Sequence, residues 1–125
     1  MTGVLVIDDD IMMREVLQAL LEAGGYEVTT ASDGPDGLGR LAEARPDVVM
    51  VDHQMPGLSG IEVVGLLRAD AATRDLAVVL MSGGSVDAVT ALAAEAGADS
   101  HLAKPFGPAD VFAAVAGAVA ARPSS

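Results

Sequence analysis

Three carboxylates stand in a row at Asp8, Asp9 and Asp10, directly behind an apolar run, in the stretch VLVIDDDIMM. Three further polar groups each follow an apolar run: Asp52 in VMVDHQMPGLSG, Ser82 in VVLMSGG and Lys104 in HLAKPF. Neighbouring carboxylates repel, and the pKa of at least one rises unless a positive charge intervenes. A divalent cation removes the conflict, because its own charge dominates the local field. Magnesium takes oxygen ligands, keeps several waters and is commonly held by one or two carboxylates plus phosphate oxygens. An ammonium, a hydroxyl and a cation grouped around a carboxylate suit a phosphoryl group, whose transfer requires mainly positioning and charge neutralisation. A carboxylate can itself be the nucleophile and form an acyl phosphate.

These groups are far apart in the chain, so the fold must gather them. Short apolar or β-branched runs at residues 4–7, 26–31, 48–51, 77–81 and 100–103 read as strands. Amphipathic stretches at 11–23, 37–44, 59–69, 85–96 and 108–121 read as helices. In the first helix, Met12, Val16, Leu20 and Ala23 fall near helical spacing and are the expected apolar stripe. Five β-α units with continuously apolar strands predict an α/β fold with a parallel sheet covered on both faces. Ligands of such sheets bind beyond the carboxyl ends of the strands. Asp8–Asp10, Asp52, Ser82 and Lys104 all occupy those ends, so they are expected to converge on one edge. Asp10 precedes the first helix and is expected to be its N-cap, since Asp is a favoured cap. The GPDGLG stretch at 34–39 lacks the strand–GxGxxG–helix register of a dinucleotide loop and reads as loop and helix start.

The composition limits the function classes. At 125 residues, one domain is the natural expectation. There is no cysteine, which excludes disulfides and thiolate metal sites. No apolar run reaches the roughly 18 residues of a membrane span, and no basic-then-apolar leader opens the chain. The expectation is a cytoplasmic protein without a membrane partner. Eighteen acidic residues against seven basic ones give a net charge of −11, which argues against direct nucleic-acid binding.

The ordered set Asp8–Asp9, Asp52 followed by MPG, Ser82, and Lys104–Pro105–Phe106 resembles the receiver domain of two-component response regulators. Ser82 follows Asp52 by 30 residues and Lys104 follows Ser82 by 22, which also fits that family. The resemblance covers residues 4 to 121. It implies a receiver over 1–121, with 122–125 a short polar tail or the start of a linker. It implies the flavodoxin-like (βα)5 fold with strand order 2-1-3-4-5, an order the general rule for doubly wound sheets itself illustrates with a receiver.

In site terms, the resemblance implies that Asp52 takes a phosphoryl group from a histidine kinase or a histidine phosphotransfer protein. Asp9, Asp52 and the backbone carbonyl of Gln54 would hold Mg²⁺, with Asp8 acting largely through water. Lys104 would hold a phosphoryl oxygen, Ser82 would turn toward it, and the Lys104–Pro105 peptide would be cis. Gln54 and Gly84 occupy the positions that influence acyl-phosphate lifetime in the family. His101 stands where the family usually places Tyr or Phe, three residues before the lysine, which puts an aromatic-type switch in question. The face formed by residues 85–121 is where the family commonly carries a partner or a second copy.

Two other functions remain open at this level. In a haloacid-dehalogenase-like phosphatase, Asp8 would be the nucleophile and Asp10 the acid/base, with Ser82 and Lys104 in the later motifs. That class needs a further acidic metal ligand after the lysine, and only Asp110 follows it. A pseudo-receiver would act as a scaffold without phosphorylation, although every chemical position is filled. His53, beside Asp52, is assigned no role.

Overall fold

The computed structural model describes residues 2–122. Ten elements alternate along it: β1 (Gly3–Ile7), α1 (Ile11–Ala23), β2 (Glu27–Ala31), α2 (Gly34–Glu43), β3 (Val48–Asp52), α3 (Gly60–Ala69), β4 (Ala77–Gly83), α4 (Val86–Ala96), β5 (Ser100–Lys104) and α5 (Pro108–Ala121). The strands form one parallel sheet in the order β2-β1-β3-β4-β5. This is the doubly wound, flavodoxin-like arrangement expected from the sequence. Residues 123–125, most of the expected tail, lie outside the described residues.

Alternate strand residues feed two cores. Val4, Val6, Met50, Val79 and Met81 pack with Leu17 and Leu21 of α1 and with Val111, Ala114, Val115 and Ala118 of α5. Leu5, Ile7, Val49, Val51 and Leu80 pack on the other face with Val63, Val64 and Leu67 of α3 and Ala93 of α4. Both faces of the central strands are buried, which is why these strands are apolar at every position. Each fully buried aliphatic side chain contributes roughly 1.5–3 kcal/mol of transfer free energy. With a core this aliphatic, packing holds the sheet edge in place without cross-links.

The apolar stripe of α1 differs from the expected one. Leu17 and Leu21 are the buried residues, with Met13 and Leu20 packed partly against them. Met12 and Val16 are 70% and 50% exposed, and Ala23 is exposed as well. The helix is apolar on two sides, so spacing alone admits two stripes, and the sheet takes the one through Leu17 and Leu21. The helix α2 begins at Gly34, three residues before the expected start. Asp33 caps it by accepting from Asp36 N at 2.8 Å, and a proline stands in its first turn. A side chain at Gly37 would collide with Ile7, so the glycine lets this helix lie against β1. β3, β4 and β5 each run past their expected ends, so Asp52, Ser82 and Lys104 are strand residues.

Candidate functional site

The parallel register brings the polar groups to one level. Asp52 pairs with Met81, Ser82 with Ala103, and Gly83 with Lys104, while Ile7, one residue before Asp8, pairs with Val51. One carboxylate oxygen each from Asp8, Asp9 and Asp52 lies within 4.8 Å of the others. Asp8 is fully buried and Asp52 is 5% exposed, whereas Asp9 is open to solvent. Lys104 reaches in from β5: its Nζ lies 3.1 Å from Asp52 Oδ1 and 3.3 Å from Asp8 Oδ2.

Each acid is placed by local chemistry. Asp8 N donates to Ala31 O at 3.1 Å, continuing the β1–β2 ladder by one rung. Asp8 Oδ1 accepts from Asp10 N at 2.9 Å, and Asp8 O accepts from Arg14 Nη1 at 2.7 Å. Asp10 is the N-cap of α1, its side chain accepting from Met12 N at 2.9 Å. Asp52 is fixed by the turn that follows it. His53 N donates to Met81 O at 2.8 Å, and Gly60 N donates to His53 O at 2.9 Å. A Cβ at Gly60 would lie 2.7 Å from His53 Cα, so only glycine lets the start of α3 approach the end of β3 this closely. Ser59 and Glu62 close a capping box there. Among the described residues, His53 Nδ1 is buried without a hydrogen-bond partner.

The electrostatics follow from this crowding. Burial raises the Asp52 pKa, its pairing with Lys104 pulls it back, and the charges of Asp8 and Asp9 push it up again, leaving it above the ordinary carboxylate value. Burial disfavours the Lys104 ammonium, but its contacts with Asp52 and Asp8 outweigh that, and its pKa is raised. Lys104 is therefore charged at neutral pH, and Asp52 needs more positive charge than one lysine supplies.

The remaining sequence candidates lie at or just past the ends of β3, β4 and β5. The Ser82 hydroxyl donates to Gly83 O at 3.2 Å rather than toward Asp52. Gln54 is exposed in the turn two residues past Asp52. Gly84 has φ +124°, a backbone state that side-chain-bearing residues rarely adopt. The Lys104–Pro105 peptide is cis.

His101 Nε2 lies 3.0 Å from Thr90 Oγ1, and Thr90 Oγ1 lies 2.7 Å from Val86 O. A carbonyl only accepts, so the single hydroxyl proton of Thr90 goes to Val86, and His101 Nε2–H must donate to Thr90. The ring is thus held against α4. Sequence reasoning missed two residues, Thr90 and Arg14. Nothing local marked Thr90.

The geometry gives the phosphatase alternative no support. Both Asp8 carboxylate oxygens are engaged within a fully buried side chain, and Asp10 is occupied as a helix cap.

The response regulator receiver domain model matches residues 4–116. The chain belongs to this family. This receiver is 37% identical over 112 residues to the DNA-binding response regulator MtrA of Mycobacterium tuberculosis. It is 35% identical over 114 residues to the phosphate regulon transcriptional regulatory protein PhoB of Klebsiella pneumoniae. Each alignment covers 90% of the receiver but only 48% and 49% of the relative, so the chain spans about half the length of these relatives. Among solved structures, a putative response regulator from Chloroflexus aurantiacus aligns with TM-score 0.88 at 32% identity, covering 95% of this chain and 98% of that one. The chemotaxis response regulator CheY4 of Vibrio cholerae aligns with TM-score 0.87 at 30% identity, covering 94% and 98%. Among the described residues, no helix is long and apolar enough to cross a membrane.

Proposed function

We propose that this receiver accepts a phosphoryl group on Asp52 from a phosphohistidine of a kinase or phosphotransfer protein, and that Mg²⁺ is required. The observation that carries the reading is the ion-paired carboxylate itself. Asp52 Oδ1 lies 3.1 Å from Lys104 Nζ, at the carboxyl edge of the sheet, beside two more acids. The all-oxygen donor set fits a hard divalent cation. Asp9 and Asp52 would hold the ion directly with the Gln54 carbonyl, and Asp8 would act through water because both its oxygens are engaged. When bound, the ion supplies positive charge against the phosphoryl oxygens.

In the transfer, an Asp52 carboxylate oxygen attacks phosphorus, a P–O bond forms and the P–N bond to the donor imidazole breaks, its electron pair going to nitrogen. Lys104 shifts from pairing with a carboxylate to holding a phosphoryl oxygen. The Ser82 hydroxyl then has a stronger acceptor than Gly83 O, because charged acceptors make the stronger hydrogen bonds. Gln54, two residues past Asp52, and Gly84, two residues past Ser82, would be the positions that set the acyl-phosphate lifetime.

For partners, Ile11, Met12 and Val16 expose an apolar stripe of α1 next to Asp9, which offers the donor protein a contact. The 85–121 face, with His101 on β5, is the proposed output or self-association surface. The net charge of −11 keeps nucleic acid off the receiver itself, and the cytoplasm is the compartment where such a donor works.

Incubation with acetyl phosphate and Mg²⁺ tests the chemistry. The wild type should gain the mass of one phosphoryl group, and the gain should vanish with EDTA or in Asp52→Asn. No gain in the wild type would leave a binding scaffold as the better reading.

A further inference from the structure

Asp9 is the exposed member of the acid cluster, and its carboxylate goes wherever the Asp8–Asp9–Asp10 turn puts it. The carbonyls of Asp8 and Asp10, the residues before and after Asp9, both accept from Arg14. Arg14 Nη1 donates to Asp8 O at 2.7 Å, and Arg14 N donates to Asp10 O at 3.0 Å. The first is a charge-assisted bond in a part-buried setting, stronger than a neutral one. The second is the first backbone bond of α1. That backbone bond would form with any residue at position 14, so what Arg14 adds is its side chain, which ties the Asp8 carbonyl at the start of the turn to α1. The remaining restraints on this turn all belong to Asp8 and Asp10: Asp8 N on Ala31 O, Asp10 N on Asp8 Oδ1, Lys104 on Asp8 Oδ2, and the Asp10 cap on Met12 N.

We infer that Arg14 is the positioning residue for Asp9, and that by fixing the turn it sets the affinity of the acid cluster for a divalent cation. This rests on the cation-binding reading above. Two roles for a guanidinium at this place have opposite consequences. As a mere positive charge beside a cation site it weakens binding, and its removal should tighten the site. As the clamp of the turn it strengthens binding, and its removal should weaken the site. Groups that orient metal ligands from one shell out typically change metal affinity by about 10–100-fold when removed.

The experiment is a Mg²⁺ titration at fixed ionic strength, followed by isothermal calorimetry and by amide chemical shifts, on wild type, Arg14→Ala and Arg14→Lys. Urea denaturation of each protein confirms that all are folded under the titration conditions. Arg14→Ala should weaken Mg²⁺ by about tenfold or more. Arg14→Lys, which keeps a charged donor, should lose less. Backbone order parameters of Asp9 and Asp10 should drop in Arg14→Ala without added metal, a change that a loss of global stability alone does not produce. Unchanged or tighter Mg²⁺ binding in Arg14→Ala overturns the inference while leaving the cation site intact. Absence of Mg²⁺ binding in the wild type overturns both.

Discussion

Lys104→Met is the perturbation that most strains the site. It keeps the apolar stem of the side chain and deletes the ammonium, leaving Asp8 and Asp52 without the charge that lies 3.3 Å and 3.1 Å away. The two acid side chains are 0% and 7% exposed, so water cannot replace that charge well. Removing one partner of a buried pair costs about 3–5 kcal/mol. The Lys104 side chain is 25% exposed, and solvent screening brings the expected loss in metal-free protein down to about 2–3 kcal/mol. That corresponds to roughly 8–12 °C in Tm for a chain of this size. The pKa of Lys104 is raised, so its contribution is present in full below the unfolded lysine value and fades only as pH climbs through the raised one. Measurement at pH 7 therefore reads all of it.

Urea denaturation in EDTA is the assay, on wild type, Lys104→Met, Asp52→Asn and the double variant. Asp52→Asn removes one of the two stranded charges, so the double variant should recover about 1–2 kcal/mol relative to Lys104→Met. Mg²⁺ at a hundred times its Kd should add about 2.7 kcal/mol to any variant that keeps the site. A Lys104→Met protein as stable as wild type in EDTA, or no recovery in the double variant, would refute the idea that this lysine neutralises the buried acids.

Three further outcomes follow from the same contacts. The raised pKa of Asp52 means that the folded state favours its neutral form, so its stabilising effect is present below the unfolded carboxylate value and is lost as pH rises through the raised one. Asp52→Asn should thus be more stable than wild type at pH 7 in EDTA, with the gap closing toward acid in a urea series across pH. Asp10→Ala should cost about 1 kcal/mol of stability through the lost cap, while Asp10→Ser should keep both stability and Mg²⁺ affinity; calorimetric titration and denaturation check the pair. Thr90→Val removes the acceptor of His101 Nε2–H, so the imidazole proton should exchange faster with water by NMR in that variant, whereas Thr90→Ser should preserve its protection.

Much of the architecture was legible because the central strands are apolar throughout and their ends are marked by acids, a hydroxyl and a lysine. The rule that ligands gather at the carboxyl edge points to Asp8–Asp10, Asp52, Ser82 and Lys104. What stayed hidden depended on choices among equivalent patterns. The helix α1 carries apolar residues on two sides, and only the sheet decides that Leu17 and Leu21 go in while Met12 and Val16 stay out. The early start of α2 rests on the Asp33 cap and on glycines that fit against neighbours, which composition had suggested was loop. The Arg14 clamp and the Thr90–His101 bond are side-chain geometries, and no periodicity encodes them.

The central claim is that Asp52, and no other carboxylate, becomes the acyl phosphate. Borohydride reduces an aspartyl phosphate to homoserine, so treating the acetyl-phosphate-loaded, Mg²⁺-bound protein with borohydride and mapping the peptides by mass spectrometry locates the modified residue. Homoserine at position 52, absent in Asp52→Asn, is the predicted result. Homoserine at position 8 or 9 instead, or at position 52 without any need for Mg²⁺, would contradict the account.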